Sequence, residues 1–192
     1  MFTLPHYARK LSLPVLVAVC AATAHATGIS ATASYSNTEI SPGVYDYTIT
    51  LDNTGTTTIG TFWFSWIPGA GFLSETPTNV DSPTGWTDKL TNSGAAIQWT
   101  TTTDLLDPGQ TLAGFSFEST ETPAELQLDF TGSGTGAGDP VTTSTVYIAA
   151  PLADPGDTFV ATPTPEPDTL LLTLTGLGLA AASFKSRLLR KA

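Results

Sequence analysis

Alternation of apolar and polar residues with a period of two runs through most of this chain. Ile29, Ala31, Ala33 and Tyr35 alternate with Ser30, Thr32, Ser34 and Ser36, the spacing of a half-buried strand. Ser41-Pro42-Gly43 turns the chain, and Tyr45, Tyr47, Ile49 and Leu51 then share one face opposite Asp46, Thr48 and Thr50, until Asp52-Asn53-Thr54-Gly55 ends the strand. Thr61 to Ile67 is apolar on both faces apart from Thr61 and Ser65, which predicts a central strand closed by Pro68-Gly69. The segment from Ala70 to Leu90, with Pro77, Pro83, Gly85 and Trp86, has little periodicity and predicts a long shaped loop. Ala95, Ile97 and Trp99 then alternate with Ala96, Gln98 and Thr100, Asp107-Pro108-Gly109 turns the chain, and Ala113, Phe115 and Phe117 share a face. Leu126, Leu128 and Phe130 set against Glu125, Gln127 and Asp129 predict a further one-sided strand, and Val141 to Ile148 predicts the last.

Some seven or more short strands with no helical pattern between them predict an all-β chain folded as a single β-sandwich, of immunoglobulin-like, Greek-key type. Its expected span is residues 27–148, with Tyr47, Trp99, Phe115, Phe117 and Leu128 as core candidates. Residues 149–164 carry no pattern and read as a linker. There is no internal repeat.

The two ends differ from this body. Arg9 and Lys10 precede an apolar stretch from Leu11 to Ala22, and Ala24-His25-Ala26 places small residues at both positions a signal peptidase inspects. Residues 1–26 are therefore expected to be a secretory signal peptide, cleaved after Ala26. The rival, a lipoprotein signal using Cys20, meets Val19 where a small residue is wanted. At the other end, Pro165-Glu166-Pro167 precedes residues 169–184, which carry no charge, and Lys185, Arg187, Arg190 and Lys191 follow in residues 185–192. As a helix the uncharged run would extend about 24 Å at about 1.5 Å per residue, against a bilayer core of about 30 Å. The basic cluster would stop transfer and stay cytoplasmic, leaving the body outside. Pro165 and Pro167 hold Glu166 in extended backbone just before the run. Taken alone, the run fits a plain C-terminal anchor helix or an apolar core helix with a basic end as well as it fits a sorting device.

In this order, Pro-Glu-Pro-Asp-Thr-Leu-Leu-Leu, a glycine-bearing apolar run and a terminal Arg/Lys group, residues 165–192 resemble the PEP-CTERM sorting signal of Gram-negative bacteria. The resemblance implies recognition at Pro165, Glu166 and Pro167 by an exosortase, a membrane-embedded cysteine protease or transpeptidase, in cells that make exopolysaccharide. It implies delivery through the Sec translocon, a membrane-held intermediate, and a final place at the cell surface or in the extracellular matrix.

Composition narrows the chemistry of the body. Cleavage after Ala26 removes the only cysteine, Cys20, and both histidines, His6 and His25. A chain without Cys or His has no thiol nucleophile, imidazole base or ordinary zinc site. Between Thr27 and Pro165 stand 15 acidic residues and one basic residue, Lys89, a net charge of −14 (1 − 15). Such a body repels nucleic acid and cannot neutralise phosphates. No cofactor is implied, and a non-enzymatic role is the expectation. Thirty of its 139 residues are threonine, which favours strands.

Candidate sites remain to be tested against a fold. Trp86, in the expected loop, and Trp63, on a strand with oppositely facing Phe62 and Phe64, are the candidates for stacking on sugar rings in a carbohydrate-binding module. A hydrolase working with carboxylates alone would draw on Glu118 and Glu121, or Glu75 and Asp81. Asp104 and Asp107, or Asp52 and Asn53 near Asp81, supply hard oxygen donors for calcium, though no Asp-x-Asp-x-Asp-Gly loop is present. Gly132-Ser133-Gly134-Thr135-Gly136 lacks a lysine and precedes a strand, so it reads as a connector and not a phosphate loop.

Overall fold

A computed structural model describes residues 28–148 and 156–164. The expected signal peptide, including Ala24 and Ala26, and the sorting segment with its apolar run and basic cluster lie outside the described residues. Among the described residues no helix is long and apolar enough to cross a membrane.

Strands β1 (Ala31–Ser41) and β2 (Val44–Asn53) form the hairpin that the alternation predicts, turned at Pro42-Gly43 with Gly43 at φ 74°. The next strand, β3 (Thr61–Phe64), stops at Ser65, whose φ of 55° breaks the extended run, so that β4 (Trp66–Ile67) folds back on β5 (Ala70–Gly71). Strands β6 (Thr78–Asp81), β7 (Thr87–Thr91), β8 (Ala96–Thr100) and β9 (Thr111–Ser119) follow, then a short helix α1 (Pro123–Leu126). Three more strands complete the fold, β10 (Thr143–Tyr147), β11 (Asp157–Val160) and β12 (Thr162–Pro163).

Ten of these strands make two five-stranded sheets, ordered β12-β1-β2-β9-β6 and β11-β10-β3-β8-β7, while β4 and β5 pair separately. The sheets meet through their aromatic faces. Phe62 of β3 lies edge-on to Phe115 of β9 at 5.3 Å and stacks on Trp99 of β8 at 5.4 Å, and Tyr47 of β2 stacks on Phe117 of β9 at 5.1 Å. Such pairs contribute about 0.5–1.5 kcal/mol each beyond the area they bury. Tyr47, Trp99, Phe115 and Phe117, all expected in the core, are fully buried there.

Three expectations are corrected. Leu128 is 60% exposed, because the segment predicted as a strand begins as α1. Thr122 caps that helix by accepting from the Glu125 amide, the Glu125 carboxylate accepts from the Thr122 amide in return, and Pro123 occupies the first turn. Leu126 alone of the alternating leucines turns inward. The expected loop from Ala70 to Leu90 holds three short strands, β5 and β6 and most of β7. The expected linker ends in β11 and β12, so the fold extends past residue 148 to Thr164.

Candidate functional site

The tryptophans proposed to stack on sugars are packed inside. Pro83 and Gly85 build a tight turn, in which the Trp86 amide donates to the Pro83 carbonyl at 3.0 Å and Gly85 takes the left-handed φ of 81° that the third turn position requires. That turn drives the Trp86 ring into the core, edge-on to Phe115 at 5.3 Å, and its Nε1 donates to the Asp104 carbonyl at 3.0 Å. Trp86 is 5% exposed, so it offers no platform. Trp63 leaves the main core because β3 alternates, and it packs edge-on with Trp66 and Tyr147 in a second buried cluster completed by Ala96. It too is buried, and its Nε1 has no hydrogen-bond partner.

The calcium candidates are taken up in turns. The Asp104 carboxylate accepts from the Thr103 hydroxyl at 2.7 Å, its amide donates to Thr101 Oγ1, and the Asp107 carbonyl accepts from the Gln110 amide at 3.1 Å. Asp52 accepts from the Thr111 hydroxyl at one end of β9, whereas Asp81 pairs with Ser116, five positions and about 16 Å along that strand. Asn53 spends its amide on the Thr57 and Leu106 carbonyls. Among the described residues no group of three or more His, Cys, Asp or Glu could hold a metal ion.

The paired carboxylates do not converge either. Glu118 lies on the outer face of its sheet and accepts from the Asn79 side chain at 2.8 Å. Glu121 turns inward and is 6% exposed, with Oε1 accepting from the amide and hydroxyl of Ser74 and Oε2 without a partner. Glu75 is engaged by the Thr120 hydroxyl. The Tyr47 hydroxyl donates to the Glu121 carbonyl at 2.6 Å. Burial pushes that hydroxyl far above the ordinary tyrosine range, with Tyr35 and then Glu121 adding to the shift, so Tyr47 serves as a fixed donor. This knot ties the β9–α1 bend to β2 through the Tyr47 hydroxyl.

A different feature stands out at the C-terminal end of the fold. Strand β11 pairs with β10, and its Phe159 stacks near Phe62 at 6.3 Å. Buried Ala161 then donates its amide to the Thr142 carbonyl at 3.1 Å and carries the chain across to the other sheet. There β12 pairs in parallel with β1, Ser34 opposite Thr162 and Tyr35 opposite Pro163. The Thr164 amide donates to the Tyr35 carbonyl at 2.7 Å, and the next residue is Pro165. The sequence hid this closure because residues 149–164, Pro163 among them, read as a linker, yet an edge strand accepts proline wherever the missing N–H would face outward.

No family model matches the chain, and no curated protein matches it significantly. Two solved structures are similar over part of it. The solution structure of the chitin-binding domain of Chi18aC from Streptomyces coelicolor is 23% identical, with 46% of this chain and 78% of that one covered and a TM-score of 0.33. The crystal structure of a GH20 exo-β-N-acetylglucosaminidase from Vibrio harveyi in complex with N-acetylglucosamine is 10% identical, with 70% of this chain covered and a TM-score of 0.40. The chain spans 18% of that enzyme.

Proposed function

We propose that this protein is an exported, non-catalytic β-sandwich of immunoglobulin-like type that is sorted and matured at Pro165-Glu166-Pro167 and functions at the cell surface or in the exopolysaccharide matrix. In this reading the Sec translocon and a signal peptidase deliver it, and an exosortase then processes the tail while the apolar run holds it in the membrane. The observation that carries the reading is the position of β12. Among the described residues the last strand, β12, ends at Pro163, two residues before Pro165, so a cut at the motif would leave every described strand in the released domain. The buried states of Trp86 and Trp63 argue against the sugar-stacking alternative, and the divergent Glu118 and Glu121 argue against a carboxylate hydrolase.

Intact mass of the protein recovered outside the cell tests the proposal, with a host lacking its exosortase as control. A C-terminus between Pro165 and Pro167, absent in the control, is the expected result. A full-length C-terminus in both hosts would reduce the tail to an ordinary anchor.

A further inference from the structure

The outer face of the sheet β12-β1-β2-β9-β6 carries hydroxyls and carboxylates in rows. Ser36 of β1, Thr48 of β2, Ser116 of β9 and Asp81 of β6 stand side by side, and one step along the strands Thr38, Asp46, Glu118 and Thr78 form a second row. They face away from the core because the residues between them along β1, β2 and β9, Tyr35, Tyr47 and Phe117 among them, fill it. Neighbours in a row lie about 4.8 Å apart and the rows about 6.8 Å apart, as strand spacing and pleat require. Ser36, Thr38, Thr48, Thr78 and Asp81 are exposed, and Asp46, Ser116 and Glu118 half-buried. The hydrogen bonds between side chains of this sheet's outer surface lie at its margins, Asn79 to Glu118 and Thr111 to Asp52.

Asp46 and Glu118 are directly opposite each other, and like charges so placed disfavour the fold. Among the described residues Lys89 is the one basic side chain, and it lies on β7 in the other sheet. Positive charge for the pair must therefore come from outside the described fold. We propose that this face binds a cationic, amine-bearing polysaccharide, with ammonium groups on Asp46 and Glu118 and sugar hydroxyls on Ser36, Thr48 and Ser116.

Charge complementarity selects this occupant. An acidic polymer is repelled by a body of net charge −14 (1 − 15), and a neutral one gives the Asp46–Glu118 pair no counter-charge. A protein partner calls for an apolar or aromatic centre, and the two rows hold only Ser, Thr, Asp and Glu. The contact also needs no stacking ring, which buried Trp63 and Trp86 do not supply. That such a polymer is met in the exopolysaccharide matrix rests on the reading above, whereas the binding itself does not.

Calorimetric titration of the full-length exported chain in neutral detergent micelles tests the binding without an exosortase, so its outcome and that of the intact-mass experiment are independent. Glucosamine oligomers are added at slightly acidic pH, with their amines protonated and the carboxylates ionised. Saturable binding is expected, about tenfold or more weaker for N-acetylated oligomers of the same length. Asp46→Asn/Glu118→Gln should weaken it about fivefold or more, and Ser36→Ala/Thr48→Val, which keeps every charge, about threefold. Asp88→Asn/Asp104→Asn removes as much charge from exposed positions outside this face and should change it less than about twofold. The urea midpoint of Asp46→Asn/Glu118→Gln should not fall, since a like-charge pair is removed, which separates lost binding from lost folding. Equal losses in the two acidic double variants overturn the proposal, because total charge and not this face would then be read. So does equal binding of glucosamine and N-acetylated oligomers, or unchanged binding in Ser36→Ala/Thr48→Val. Binding of polylysine without binding of glucosamine oligomers overturns it as well and makes a basic protein the occupant.

Discussion

Trp86 is a side chain whose type suggests one role and whose neighbours give it another. Its ring lies against Phe115, its Nε1 is spent on the Asp104 carbonyl, and a Cβ on Gly85 would run into the Asp104 carboxylate, so the turn and the ring are fixed by the same few contacts. Removing a buried aromatic ring costs both its transfer energy and the cavity it leaves. Trp86→Ala should therefore lower unfolding stability by about 3–5 kcal/mol in urea titrations. Retention of the still-folded fraction on a polysaccharide affinity gel should not change. Loss of retention without loss of stability would return Trp86 to the surface and revive the sugar-stacking role.

Strands β11 and β12 belong to the fold despite their linker-like composition, and the core shows why. Phe159 stacks near Phe62, the Asp157 carboxylate accepts from the Ala31 amide at 3.0 Å, and β12 shields the start of β1. A chain ending at Ile148 would leave the edges of β10 and β1 unpaired and expose part of the Phe62 cluster. It should lose the single cooperative urea transition, whereas a chain ending at Thr164 should keep it. Indistinguishable transitions would restore the domain end at residue 148. The legible strands were those buried on one face only, such as β2, where Tyr47, Ile49 and Leu51 alternate with exposed or half-exposed polar residues. Short edge strands such as β6, β7 and β11 gave no such signal, because exposure on one side and pairing on the other leaves little hydrophobic contrast. The segment from Leu126 to Phe130 misled in the opposite way. Its alternation is genuine, but Thr122-Pro123-Ala124-Glu125 is a capping box that starts a helix, and a local cap outweighed a short periodic run. Of the candidate sites, the proposed sorting motif is read from residue order alone and lies outside the described residues. Burial of Trp86 and Glu121 depends on contacts between residues 18 and 47 positions apart and was not legible in the sequence.

Charge acts over the entire body. Fifteen carboxylates and one lysine between Thr27 and Pro165 repel one another, and Lys89 lies on the exposed edge strand β7, where it can offset few of them. Repulsion of this kind disfavours the compact state, since unfolding moves the charges apart. Added salt screens it, with a Debye length falling from about 30 Å at 0.01 M to about 10 Å at 0.1 M. The hydrophobic contacts between Phe62, Phe115, Trp99 and Phe117 do not weaken over that range, so the net effect has one sign. The urea midpoint of the domain through Thr164 at pH 7 should rise steadily between 0.01 and about 0.3 M sodium chloride, and most of the rise should fall below about 0.1 M. Sodium and potassium chloride should act alike, because screening depends on ionic strength. A midpoint that is flat in salt would mean the carboxylates are already compensated within the fold. A rise produced by calcium at far lower ionic strength than by sodium would instead reveal a specific cation site, contrary to the scattered Asp52, Asp81, Asp104 and Asp107 side chains.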